Sequence, residues 1–103
     1  MKIMISQPMA GKTVRQIEAE RKALIKSIED AGHEYVDTVL DAGNAGSHRP
    51  LWCLGASLQL MSTCDAVVFM RGWDAARGCR IEHAAAIAYG LEVMMERDFM
   101  ETL

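Results

Sequence analysis

The chain alternates between short apolar runs and longer stretches in which apolar residues return every three or four positions. Residues 2–6, KIMIS, are the first such run and predict a strand buried within a sheet. Pro8 and Gly11 oppose its continuation, so Gln7–Lys12 reads as a loop. Thr13 is then a good N-cap, and Gln16 three residues later completes a capping box. Ile17, Leu24, Ile25, Ile28 and Ala31 follow at helical spacing with charges between them. They predict a helix that lies on the sheet through Ile17, Leu24 and Ile28, keeps Glu18, Lys22, Lys26 and Glu29 in water, and ends at Gly32.

A second strand is expected over His33–Val39, with Tyr35, Val36 and Val39 as its apolar content. Asp41–Pro50 has no periodicity and holds two glycines, an asparagine, a serine and a proline, which predicts a long loop. Helical spacing returns over Leu51–Met61 through Leu54, Leu58 and Met61. Ala66–Met70 is short, β-branched and fully apolar, as a strand covered on both faces should be. Arg71–Asp74 break that run, and after Gly78 an alanine-rich helix is expected to run to Gly90, with Glu82 in its first turn or so. Leu91–Met95 supplies a fourth strand, and the polar tail from Glu96 reads either as a frayed end or as a segment packed on a neighbouring subunit.

This order, β-α-β-α-β-α-β, predicts a single α/β domain over residues 1–103: a small doubly wound sheet of about four parallel strands with helices on both faces. A flavodoxin-like strand order, with the first strand inside the sheet, is the expected arrangement. In such a sheet the strand, glycine-bearing loop and helix N-terminus of Cys64–Gly90 form a natural ligand corner, with Glu82 inside it.

Composition narrows the partners. The net charge of −3 argues against a polynucleotide. No apolar run approaches the ~18 residues of a membrane span, and no signal-peptide pattern follows Met1. Cys53, Cys64 and Cys79 lack metal-ligand spacing, which predicts reduced thiols in a cytoplasmic protein. His33 and His48 have no ligating companions, so neither a metal nor another cofactor is expected. Lys12, Arg15, Arg49, Arg71, Arg77 and Arg80 lie in or beside predicted loops after strands, an arrangement that favours a small anionic ligand or is simply a set of solvated charges.

Three segments, KIMISQPMAGKT, LWCLGASLQLMSTCDAVVFM and GWDAARGCRIEHAAAIAYGLEV, resemble the nucleoside 2-deoxyribosyltransferase-like superfamily, most closely its short members often found in phage and prophage genomes. The resemblance covers nearly the whole chain. It implies cleavage or transfer of the N-glycosidic bond of a nucleoside or nucleoside monophosphate, with Glu82 at the position of the nucleophile and homo-oligomeric assembly. A carboxylate suits that role because it stabilises oxocarbenium character and can form a glycosyl intermediate. Two positions depart from the pattern. Ala76 stands where the transferases carry an aspartate six residues before the nucleophile, and Ser57 aligns with another acid. Asp74 and Asp65 are the nearest replacements, Asp74 as an auxiliary acid from the loop and Asp65 as a structural residue.

With that resemblance, Ser6, Gln7, Met9, Gly11 and Lys12 are expected to cradle sugar or phosphate ahead of a helix N-terminus. The GKT within this loop lacks the glycine spacing of a P-loop. Trp73 is placed to stack on a base, while Trp52 suits core or interface. Arg77 and Arg80, around Gly78, either bind phosphate or pair with Asp74 and surface acids. Cys79, between two arginines near a helix start, invites a lowered pKa or a packing role. Glu82 itself reads either as a solvated acid of the helix start or as the ligand-site carboxylate. The expected activity is therefore glycosidic chemistry on a nucleoside or nucleoside 5′-phosphate. The alternative is a nucleotide-binding protein that kept the pocket and lost the reaction.

Overall fold

A computed structural model describes residues 1–38 and 46–101. The elements are β1 (Lys2–Ser6), α1 (Val14–Asp30), β2 (Glu34–Val36), α2 (Arg49–Met61), β3 (Ala66–Phe69), a 3-10 turn (Trp73–Ala75), α3 (Arg77–Ala88), β4 (Glu92–Met95) and α4 (Glu96–Glu101). The four strands form one all-parallel sheet in the order β2-β1-β3-β4. It is the expected doubly wound α/β arrangement, with the first strand inside.

Strand alternation divides the core between two faces. Ile3 and Ile5 of β1 and Ala66 and Val68 of β3 pack with Leu24 and Ile28 of α1 and Phe99 of α4. Met4, Val67 and Phe69 point the other way, to Met61 of α2 and Ala86 of α3. The small side chain of Ala86, fully buried, lets α3 approach the sheet closely. The capping box forms as expected: Thr13 Oγ1 accepts from the Gln16 amide at 3.1 Å, and Gln16 Oε1 accepts from the Thr13 amide at 2.8 Å. Gly32 and Gly90 follow α1 and α3 with φ of +87° and +76°, where a side chain would be strained.

Several element boundaries differ from expectation, among them the end of β3, at Phe69 and not Met70, and the start of β4, at Glu92 and not Leu91. The second strand is shorter at both ends, Glu34–Val36, and its predicted end at Val39 lies outside the described residues, as do residues 41–45 of the predicted loop. β1 pairs with β2 only through Met4, because the next carbonyl, of Ile5, accepts the Thr38 hydroxyl at 3.3 Å and the Arg21 guanidinium at 3.5 Å. Side chains end the ladder there. α2 begins earlier, at Arg49, with Pro50 in its first turn, where a missing N–H costs nothing. α3 also begins earlier, at Arg77, and runs through Gly78, so Glu82 lies in its second turn and not its first.

Of the two expectations for the tail, the frayed end is corrected: Glu96–Glu101 folds as α4. Its Phe99 is buried, with its ring 6.5 Å from that of His33. Among the described residues no helix is long and apolar enough to cross a membrane.

Truncating Phe99 tests how firmly α4 belongs to the core. Phe99→Ala should cost about 3 kcal/mol, read from the shift of a urea unfolding midpoint. A loss below about 0.5 kcal/mol would mean that α4 is peripheral.

Candidate functional site

The chain leaves β1 toward β2 and leaves β3 toward β4, in opposite directions along the sheet. Parallel strands that diverge in this way open a crevice at their carboxyl ends. A cavity of about 510 Å³ lies at that place, within the size range of small-molecule sites. One wall is the loop after β1, through Gln7, Pro8, Met9 and Ala10. A second is α2, through Pro50, Cys53, Leu54 and Ser57. The third runs from Ala75 to Cys79 and on to Glu82, and Ile5 and Thr38 close the floor.

Glu82 is the most unusual group in this lining. It is only 8% exposed, yet carries a carboxylate on an otherwise largely apolar wall. Burial raises its pKa above the ordinary value of 4.5. Three influences pull the other way: hydrogen bonds from Ser57 and Ser6 and the positive charge of Arg21. The Ser57 hydroxyl donates to one carboxylate oxygen at 2.5 Å and the Ser6 hydroxyl to the other at 2.9 Å. Both oxygens are thereby fixed in direction, and each keeps a further lone pair. Ser6 comes from the end of β1, Ser57 from α2 and Glu82 from α3, so three elements agree on one carboxylate. Ser57, read from sequence only as a missing acid, is a donor to Glu82.

Of the other expected site residues, Gln7, Met9, Arg77 and Gly78 line the cavity, and Ser6 stands behind Glu82. Gly78 needs no special backbone angle, and a Cβ built there would meet no atom within 4 Å. The Gln7 amide is fully engaged elsewhere. Its oxygen accepts from Arg21 Nε at 2.5 Å, and its nitrogen donates to the Ile17 carbonyl at 3.3 Å and to Glu20 at 2.9 Å. Gln7 therefore shapes the wall and has no amide hydrogen left for a ligand.

Gly11, Lys12, Trp73, Asp74 and Arg80 are not part of the lining. Lys12 donates to both oxygens of Glu20, at 3.0 and 3.1 Å, which holds the Glu20 carboxyl below its ordinary pKa. Trp73 stacks on His83, ring centroids 4.3 Å apart and 22° from parallel, and also packs on Phe69. Asp74 is exposed in the 3-10 turn, and Arg80 is exposed on α3. Asp65, at the opposite end of the sheet, accepts the Lys2 amide at 2.7 Å, a structural contact. Cys79 departs from the lowered pKa that its neighbours suggest: burial pushes the thiol up, more than the Ser6 hydroxyl and the cations of Arg21 and Lys12 pull it down.

Sequence reasoning overlooked Arg21, Thr38 and Cys53. For Arg21 a signal exists, since it stands four residues after Ile17 and three before Leu24, inside the apolar stripe of α1. Thr38 and Cys53 carry no pattern that marks them.

The raised pKa of Glu82 has a consequence for stability. The folded protein holds this proton more tightly than the unfolded chain, so stability is full below the unfolded pKa and is lost as pH rises through the folded one. Glu82→Gln should therefore be more stable than the parent at neutral pH, by on the order of 1 kcal/mol, or about 4–8 °C in Tm. The gain should shrink as pH falls to about 4. Thermal scans across that range check this, and a variant less stable at neutral pH would contradict it.

Comparisons with curated proteins and with solved structures gave no match. A family model described as a domain of unknown function, DUF4406, matches residues 1–95. The match takes in every strand and every wall of the cavity, and the chain belongs to the DUF4406 family.

Proposed function

We propose that the cavity binds a nucleoside or nucleoside 5′-monophosphate and that Glu82 acts on its N-glycosidic bond. The observation that carries this reading is the buried Glu82 carboxylate, aimed by two serine hydroxyls in the wall of a cavity of small-molecule size. One carboxylate oxygen forms a bond to the anomeric carbon as the carbon–nitrogen bond breaks, and its electron pair leaves with the base, which takes a proton from water. Attack by water or by a second base then releases the glycosyl group and restores the carboxylate. The serine hydroxyls stabilise the ionised form that this step requires, and the apolar walls of Pro8, Met9, Pro50 and Leu54 suit a planar base.

The phosphorylated substrate is favoured by charge. α3 begins at the cavity without a side-chain cap, and Arg77 and Gly78 of its first turn stand in the lining. An uncapped helix start and an arginine together attract an anion. Leu51 and Trp52 on α2 and Ile81 and Ile87 on α3 are exposed apolar residues that support homo-oligomeric assembly.

A binding protein without turnover is the second reading, and one observation favours it. At Ala76 the lining offers a methyl group where a proton donor would assist the leaving base, and the nearest acid in sequence, Asp74, is outside the lining.

Chromatography of a nucleoside and nucleoside-monophosphate panel separates the two. Free base should form with the parent protein and fall by at least ~10³-fold in Glu82→Ala. Arg77→Ala should weaken monophosphate binding about tenfold and leave the nucleoside unchanged. Intact substrate throughout, with binding retained, would establish the second reading. Equal weakening of both ligands would remove the phosphate assignment.

A further inference from the structure

Arg21 occupies a core position of α1. Ile17, Arg21, Leu24 and Ile28 form the buried stripe of that helix, and the Arg21 side chain is fully buried. A permanent charge at such depth is costly unless its donors are used. Its Nε donates to Gln7 Oε1 at 2.5 Å. One terminal nitrogen donates to the Tyr35 hydroxyl at 2.9 Å and to the Thr38 hydroxyl at 3.2 Å, and the other to the Ile5 carbonyl at 3.5 Å. These four partners among the described residues are neutral, and three of them belong to the cavity lining, Ile5, Gln7 and Thr38.

The end of β1 connects this cation to Glu82. Ile5 and Gln7 meet Arg21, on the face covered by α1. Ser6, between them, meets Glu82, on the face covered by α2 and α3. Three consecutive residues thus hold a buried cation and a buried carboxylate on opposite sides of one strand end.

We propose that Arg21 is a positioning residue of the cavity: from the α1 face it holds Gln7 and Thr38 in the wall, and across the end of β1, whose Ser6 bonds Glu82, its charge favours the Glu82 carboxylate. The groups facing Glu82 are Ser6 from β1, Ser57 from α2 and Cys79 on its own helix, with Arg21 as the cation acting from α1. The charge of Arg21 favours the ionised form of Glu82 and opposes the effect of burial. This role extends beyond the glycosidic reading, because it requires only that Glu82 titrate in the cavity wall.

The test is an NMR titration of the Glu82 side-chain carboxyl, in protein labelled with ¹³C-glutamate and assigned with Glu82→Gln. In Arg21→Met the midpoint should move to higher pH. Arg21→Lys, which keeps the charge and loses the planar fork, should stay nearer the parent. The same midpoint in the parent and in folded Arg21→Met would overturn the proposal. The Arg21 Nε–H resonance gives a second measurement that needs no Arg21 variant to fold. It should shift through the Glu82 midpoint in the parent and stay flat there in Glu82→Gln. Equal pH dependence in both proteins would also overturn the proposal.

Discussion

A carboxylate taken out of water must be held by something, and in this protein the means of holding it organise the whole sheet end. Glu82 receives one serine hydroxyl from β1 and one from α2. Those two bonds require the strand, both helices and the crevice between them to be in register. Burial opposes ionisation and the serines favour it, with burial the larger effect. A residue selected for stability alone would not sit in this position, since a neutral side chain of the same shape avoids the cost. The arrangement makes sense where an aimed carboxylate is used.

The loop after β1 shows the same division between structure and chemistry. Gln7 and Lys12 both reach back to Glu20 on α1, and Gln7 also takes the Arg21 guanidinium. Their polar atoms tether the loop to the helix, which leaves Pro8, Met9 and Ala10 to face the cavity. The wall is apolar because its polar members are turned inward. Within the lining the charged groups are Glu82 and Arg77.

Much of this was legible in the sequence. Apolar runs and a 3.6-residue period do not depend on tertiary contacts, so KIMIS, the Ala66–Met70 run and the Ile17/Leu24/Ile28 stripe predicted β1, β3, α1 and the parallel order, with β3 ending one residue sooner, at Phe69. The cavity's place at the ends of β1 and β3 follows from that order. What depended on tertiary partners was not legible. Lys12 pairs with an acid eight residues away, Trp73 is covered by His83, and Phe99 turns a polar tail into a core helix. Arg21 was hidden for a different reason: a charge within an apolar stripe looks like an interruption until Gln7, Tyr35 and Thr38 are seen around it.

The central claim is that the Glu82 cavity is where this protein meets its ligand. Titration of ¹⁵N-labelled protein with nucleoside 5′-monophosphates, followed by backbone amide shifts, tests it most directly. Shifts concentrated at Met9, Ser57, Arg77, Gly78 and Glu82, and lost on competition by a tighter member of the panel, are the predicted result. Shifts confined to other surfaces, such as the charged outer face of α1, would contradict the account, as would a spectrum unchanged by every member of the panel.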